Sequence, residues 1–509
     1  MKINQLKGGA ALSYVTIFLT NIVGLVLTPF IIRSLGSAEY GLYTMIGALV
    51  GYMSVLDFGL NNTIIRFVAK FKAEKDKKGE QNFLAHSFIM YACISILVAI
   101  IGVIFYINID TLYVNTLSTE QISKAKTMVL ILVFNLAISL PGGAFSGICY
   151  GYEIFVLPKT INIIKYIFRS GLVILILFKG GDSISLVIMD TILNMLIIFI
   201  DAYIVFKIIK VKIKMHHYNK MMFIEILSFS IWLFIFAIVH QLRWQFGQLI
   251  LGLYYSTTIV AIYAVGSTLG NYYGAFSSAI SSVFLPRAIQ VTINDAPKEE
   301  LTTLFIKVSR VILFVLLLIL GSFIVSGKDF VFFWVGDEYH MAYYYALAIM
   351  LGLTPTLSQG FANNILEAKN LLVYRGRLLL TLTVLGVIIS FFVAKTFGTM
   401  EMILVTVFFL LLERAIIIPY YIKKANLDML RYYKEIAPLF LSIGIAVILS
   451  AVNSYFLPNQ NVLAMLFKLL TFSIIYFVFC LKVMNGYEKH LLKSLFSKMP
   501  IVYKIGKKL

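Results

Sequence analysis

The chain has 509 residues, of which 60% are hydrophobic and only 13% charged, with a mean hydropathy of +0.91. Soluble domains run near half apolar and a quarter charged, so a soluble multidomain enzyme, a disordered chain and a disulfide-stapled secreted module are all excluded. Lysine and arginine number 43 against 24 aspartates and glutamates, a net charge of +19, which points either to nucleic acid or to the cytoplasmic face of a membrane.

Apolar windows of about twenty residues, long enough to cross a bilayer, recur along the whole chain. They predict helices near residues 10–33, 40–60, 83–107, 124–147, 161–179, 184–206 and 223–248. A second set follows near 257–285, 303–325, 341–366, 377–396, 400–421, 436–456 and 462–483. The first window follows Lys2 and Lys7 and is too long for a signal peptide, so it reads as an uncleaved span. The fold class is therefore an all-α polytopic membrane protein with about 14 spans. An even number puts both termini on one side.

The cations choose the side. With both ends cytoplasmic, 35 of the 43 lysines and arginines fall in inner segments and seven in outer turns, while Lys468 lies within a span. This bias sets orientation and removes nucleic acid as a partner. Lys468, two turns into the last span, is expected to snorkel outward. The longest polar stretches, 71–81, 108–126, 290–302 and the tail, leave no room for a soluble domain. No P-loop, post-strand GxGxxG, HExxH or EF-hand occurs, so neither cofactor nor metal is expected and ATP-driven pumping by this chain alone is disfavoured. Cys93, Cys149 and Cys480 lie in apolar runs without metal spacing and read as small buried hydrophobes. In the tail, Leu491, Leu492, Leu495, Phe496 and Met499 share one helical face, with Lys489, Lys493 and Lys498 elsewhere. That is an amphipathic helix for an anionic inner leaflet.

Two helix pairs, 10–60 and 223–285, share a layout. Tyr43, Gly47 and Gly51 in one, and Gly266, Gly270, Gly274, Ser278 and Ser282 in the other, recur at spacing four. Such stripes let helices approach closely. The preceding helices carry polar stripes, Thr16, Thr20, Asn21, Gly24 and Thr28 in one and His240, Arg243, Trp244 and Gly247 in the other. Plain packing and a midplane cavity between repeats both fit.

Ionisable groups inside spans are costly, and each is a functional candidate. Asp57, in Asp57-Phe58-Gly59-Leu60-Asn61-Asn62, is either a helix cap at the boundary or a cavity-floor charge. Arg33 closes the first span at its outer end. Lys165 and Arg169 are one turn apart in the fifth, where they either decorate the inner side or present a cationic face to a diphosphate. Asp190 and Asp201, eleven residues apart in the sixth, fall within about 20° of one face. Proton or sodium coupling would need such carboxylates, although Asp201 and Glu225 could also sit at the inner interface. Pro355 is expected to kink the tenth span. Gln359, Asn363 and Glu367 follow at spacing four, to line a cavity or to bond between helices.

The stretch Pro29-Phe30-Ile31-Ile32-Arg33-Ser34-Leu35-Gly36-Ser37-Ala38-Glu39-Tyr40-Gly41-Leu42-Tyr43 resembles a known family. So do Leu56-Asp57-Phe58-Gly59-Leu60 with Arg66, and Phe333-Trp334-Val335-Gly336-Asp337-Glu338-Tyr339. The family is the polysaccharide-transporter branch, the Wzx-type bacterial flippases, of the multidrug/oligosaccharidyl-lipid/polysaccharide flippase superfamily. The likeness runs over roughly residues 5–485, and the turn 253–258 departs from it by lacking a glycine. The resemblance implies an N-terminal lobe (residues 1–210, helices 1–6), a C-terminal lobe (211–435, helices 7–12), an extra helix pair (436–485) and the tail (486–509). It implies a flippase of the bacterial cytoplasmic membrane that carries undecaprenyl-diphosphate-linked oligosaccharide between leaflets by alternating access, for surface polysaccharide. The substrate, membrane lipids and other polysaccharide-assembly membrane proteins are the expected partners. Arg33, Lys165, Arg169 and Arg243 are the substrate-binding candidates, and Asp57, Asp190 and Asp201 the coupling-ion candidates. The rivals are a drug/cation antiporter of the same superfamily, whose cavity would be acidic, and a membrane polysaccharide polymerase, ligase or glycosyltransferase, which would carry a long outer loop.

Overall fold

A computed structural model describes residues 5–497, except 219, 294, 295, 370, 456 and 459. Every expected span coincides with a helix or with two consecutive helices, and no strand occurs among the described residues. The first helices are α1 (Gln5–Leu35), α2 (Ser37–Ser54), α3 (Leu60–Glu74), α4 (Lys77–Leu112) and α5 (Thr119–Gly151). Next come α6 (Val156–Phe178), α7 (Ser183–Tyr203), α8 (Lys220–Trp244), α9 (Phe246–Tyr254) and α10 (Thr257–Ile293). They are followed by α11 (Lys298–Val335), α12 (His340–Ser358), α13 (Gly360–Ala368) and α14 (Leu372–Thr396). The last are α15 (Thr399–Lys423), α16 (Met429–Tyr455), α17 (Val462–Val483) and α18 (Gly486–Ser497). Among the described residues, eleven helical stretches are long and apolar enough to cross a membrane. The protein is a multi-pass membrane protein.

Local chemistry starts the helices where polar residues interrupt the apolar runs. Ser118 and Gln121 form a reciprocal capping box at α5, with N–H contacts of 3.2 and 3.0 Å. Asp76 caps α4 through the Gly79 N–H at 2.8 Å, and Asn461 caps α17 through Ala464 at 3.1 Å. The polar segment after the second span is itself the amphipathic helix α3. It is separated from α2 because Phe58 and Gly59 both take left-handed φ, 52° and 69°. The seventh span is likewise divided, since α8 ends at Trp244 and α9 starts at Phe246, with Gln245 between them at φ −109°. Gly247 therefore lies past a break, and the stripe from His240 does not run down one helix. The Pro355 helix ends three residues on, at Ser358, and α13 resumes after Gln359.

Contacts divide the chain into two compact units. Residues 1–264 with 379–402 form one; residues 265–378 with 403–509 form the other. In the first, α5 is the hub and packs on α2, α3, α4 and α7, while α1 lies along α6. In the second, α11 packs against α12, α13, α16 and α17. Of the glycine stripes, Gly51 and Gly266 lie against Gln241 and Tyr345, whereas Gly47 and Gly274 meet open space. Close packing thus explains only part of each stripe. Cys149 and Cys480 are buried as expected, but Cys93 is exposed on the outer face of α4.

Among the described residues, two buried ion pairs join separate helices of the second unit, and neither was expected. Lys468 does not snorkel: its side chain is 3% exposed and its ammonium lies 2.9 Å from Asp329. The Asp329 carboxylate also accepts the Gln460 N–H at 3.0 Å. An anion on a neighbouring helix offers Lys468 a partner closer than the interface. Arg310, 3% exposed, grips Glu488 with contacts of 2.5 and 3.0 Å and donates to the carbonyls of Val483 (3.0 Å) and Glu435. Glu488 and Asn485 cap each other across the start of α18, at 3.0 Å both ways. The tail is helical as expected and its first turn is docked on α11. Lys498 and Met499 lie outside the described residues, as do the side chains of Leu491, Leu492, Leu495 and Phe496.

Breaking a buried pair strands a charge at a cost of about 3–5 kcal/mol, while neutralising both partners costs far less. Lys468→Met should accordingly lower the melting temperature of the purified protein sharply. Lys468→Met with Asp329→Asn, which keeps the acceptor for Gln460, should recover most of the loss in the same thermal unfolding assay.

Candidate functional site

The densest set of sequence-selected charges lies in the first unit, on the hairpin α6–α7. Its turn is four residues long, and Gly180 takes φ +81° so that the Gly181 N–H reaches back to Ile176 at 2.9 Å. Asp182 then caps α7 by accepting from the Ser185 N–H (3.0 Å) and hydroxyl (2.8 Å). Partial burial works against that charge, but the Ser185 bonds outweigh it and hold the carboxyl below its usual range. Glu39 at the start of α2 accepts the Ser183 N–H at 2.8 Å and pairs with Lys124 of α5 at 3.0 Å. Three helix starts are thereby held in register.

Such a short turn makes α6 and α7 antiparallel neighbours, so a step back of four on one meets a step forward of four on the other. The candidates follow this rule. Arg169 makes a bidentate pair with Asp190, Nε to Oδ1 at 2.5 Å and Nη2 to Oδ2 at 2.8 Å. One turn away, Lys165 donates to Asn194 Oδ1. Asn194 passes the chain on to Asn135 of α5 at 3.2 Å, where Ser139 also donates at 2.9 Å. The Tyr43 hydroxyl of α2 faces the Arg169 guanidinium. Lys165 is near enough to feel the charges of both Asp190 and Asp201.

Asp201 is 4% exposed, and its Oδ1 has no hydrogen-bond partner. Cys149 and Tyr150 of α5 are also within reach of its charge. The ladder thus holds two cations and two carboxylates. On the side toward the turn it is closed by an apolar layer, Val173 and Leu177 against Leu186, Met189 and Leu193, with Phe30 and Leu35 of α1 packed on it. Away from the turn it continues into amides and Asp201. A guanidinium held by a carboxylate in two parallel bonds presents the geometry that also suits a phosphate.

The other candidates stand apart from this ladder. Along α1 and α6, Lys159 donates to Gly9 O (3.0 Å) and Tyr166 to Thr20 O (3.2 Å), so the two helices run parallel. That register sets Arg33 level with the end of α6, about ten residues or roughly 15 Å beyond Arg169. Arg33 is exposed in the last turn of α1, where the helix dipole favours a cation. Arg243 ends α8 and donates to Thr383 of α14 at 3.0 Å. Asp57 accepts from Tyr91 at 2.8 Å, and the N–H groups of Asn61 and Gly59 face it. Gly59, not Asp57, is the N-cap of α3.

On α1, the threonines and asparagine of the polar stripe bond back to their own helix: Thr16 to Leu12 (2.8 Å), Thr20 to Thr16 (2.9 Å), Asn21 to Ile17 (2.6 Å) and Thr28 to Gly24 (2.7 Å). In the second unit Asn363 accepts from Tyr421 at 2.8 Å and Gln359 donates to Tyr433 at 3.3 Å. Of the two readings of that stripe, bonding between helices is the one these contacts match. Arg414, which the loop count places with the inner cations, is 4% exposed beside Glu413 and donates to Tyr421 at 3.3 Å. Sequence reasoning missed Asn135, Ser139 and Asn194, and it placed Tyr43 only in a helix-packing stripe. Asn194 was within reach, because it repeats the spacing of Asp190 as Lys165 repeats that of Arg169.

The family model described as polysaccharide biosynthesis protein matches residues 6–292. Over 265 residues the chain is 23% identical to a Shigella flexneri protein provisionally named an O-antigen transporter; the match covers 51% of this chain and 60% of that relative. Among solved structures, the lipid II flippase MurJ in an inward closed conformation superposes with a TM-score of 0.71, over 92% of this chain and 98% of its own, at 15% identity. An inward-facing multidrug resistance transporter of the MATE family gives 0.59, over 81% and 94%, at 13% identity. At these identities the likeness is one of fold. Matched over more than half its length, and folded like transporters of the MOP superfamily, the chain belongs to the polysaccharide biosynthesis protein family.

Proposed function

We propose that the protein moves undecaprenyl-diphosphate-linked oligosaccharide units from the inner to the outer leaflet of the bacterial cytoplasmic membrane by alternating access, for surface polysaccharide synthesis. In this reading residues 1–210 and 211–435 act as the two lobes and 436–485 as an added pair, with both termini cytoplasmic. The observation that carries it is the Lys165/Arg169 ladder facing Asp190 and Asn194 within spans of the first unit. A sugar diphosphate cannot cross hydrocarbon without a polar, cationic path. A lone pair of cations would be costly to hold there, so Asp190 compensates Arg169 at rest. An arriving phosphate presents oxygens to the same guanidinium fork and takes the place of Asp190. The displaced carboxylate and Asp201 then carry uncompensated charge, which makes them the groups to take up a coupling proton or cation. Asp57 is a further coupling candidate, and Arg33 and Arg243 are further substrate-binding candidates that stand apart from the ladder. Other polysaccharide-assembly proteins would supply and receive the glycan.

The names of the relatives support this cargo, since one is a lipid II flippase and another an O-antigen transporter. The MATE fold likeness favours the drug/cation antiporter as a second reading. Against it, the ladder holds as many cations as carboxylates, whereas such an antiporter would need an acidic cavity. A polymerase or ligase role finds no support in the relatives, which are transporters.

Export of lipid-linked glycan tests the site. Arg169→Ala should cut export by at least about tenfold, the worth of a charged hydrogen-bonded contact, at unchanged glycan synthesis. The swap Arg169→Asp with Asp190→Arg keeps the pair and should restore the melting temperature but not export. Restored export would make the pair structural and remove it from the site. Orientation is tested separately: a fluorescent protein fused after residue 509 should fluoresce, and alkaline phosphatase fused there should be inactive.

A further inference from the structure

In the second unit, far along α11 from its start, lies a cavity of about 330 Å³ that the proposed transport cycle does not use. Its floor is the Lys468–Asp329 pair with Gln460, and the charges there satisfy one another. Its rim is different. Lys328 is exposed, with its ammonium 5.6 and 5.2 Å from the ring centroids of Tyr343 and Tyr344. Asp337 is exposed as well, and no salt bridge joins it to Lys328 among the described residues. The apolar part of the wall is Ile324, Val325 and Phe332; Gly336 and the exposed His340, whose Nδ1 lies 3.3 Å from the Asp337 carbonyl oxygen, complete it.

We infer that this cavity binds the headgroup of a zwitterionic phospholipid, with the lipid phosphate at Lys328 and its ammonium at Asp337. The position supports this. The 38 residues of α11 span about 57 Å, against about 30 Å of hydrocarbon, so its last turns reach the interface where headgroups lie. The charge pattern supports it too. Two opposite exposed charges over a neutral floor suit a ligand that carries both signs. A purely anionic ligand would gain Lys328 but meet Asp337. The ring of Phe332 adds a face on which an ammonium can rest, while that of Tyr344 is taken by Lys328. The apolar wall receives the glycerol and the first methylenes of the chains. The cavity is also bordered by α11, α12 and α17, so an occupant would tie these helices together.

The test uses the full-length protein purified in detergent and its thermal unfolding. Added phosphatidylethanolamine should raise the melting temperature by roughly 2 °C or more, and native mass spectrometry should retain it as an adduct. Lys328→Glu and Asp337→Lys are exposed changes, so each should melt like the parent without lipid and lose the lipid-dependent rise. The double variant, with the two signs exchanged, should regain it. An equal rise with phosphatidylglycerol would overturn the zwitterionic assignment. An equal rise with soluble phosphoethanolamine would assign the site to a free phosphate ester instead of a lipid. A rise that persists in Lys328→Glu would place the lipid elsewhere.

Discussion

Hydrocarbon offers no water to a polar atom, so each group that enters the membrane must find its partner within the protein. This one constraint orders the whole molecule. It makes the chain helical, because helices satisfy their own backbone. It turns the hydroxyls of Thr16, Thr20 and Thr28 back onto carbonyls four residues earlier. It also requires each cation that sits deep in a span to meet an anion or an amide, as Arg169 meets Asp190, Lys468 meets Asp329 and Arg310 meets Glu488.

These pairs serve different ends, and their surroundings tell them apart. Arg310 is enclosed by a carboxylate and two carbonyls, with donors spent on three segments at once. With four of its five N–H donors used and its side chain buried, it acts as a clasp between α11, α16, α17 and α18. Lys468 and Asp329 are almost as enclosed. Arg169 and Asp190 are more open, with side chains 23% and 24% exposed. Their ladder runs from an apolar layer toward amides and the incompletely bonded Asp201. A pair that is satisfied yet accessible can be exchanged for another anion, which is what a transport site needs and a structural clasp must avoid.

Much of this was legible in order of residues. The apolar windows located the helices, and the spacing of four in Lys165 and Arg169 placed both on one face. Asp190 was selected because a carboxylate in a span is costly. The two could not be paired on spacing alone, since 21 residues separate Arg169 from Asp190 and only the antiparallel hairpin sets them opposite. Lys468 shows the same limit from the other side. Its depth suggested snorkelling, but its partner lies 139 residues away on α11. Arg414, counted among the inner cations, has near partners in Glu413 and Tyr421, but it is Asn363 on α13 that holds Tyr421 in place.

The sequence by itself determined that this protein is a bundle of membrane helices, and the bias of its lysines and arginines is the ground on which a cytoplasmic side for both termini is proposed. These properties depend on the transfer of segments from water to lipid, a sum over neighbouring residues that composition and period express directly. Tertiary structure alone decided which buried charges are enclosed between helices and which stay partly open. That division depends on partners brought from distant parts of the chain, and on whether each charge retains a path to a second ligand once its first bond is made.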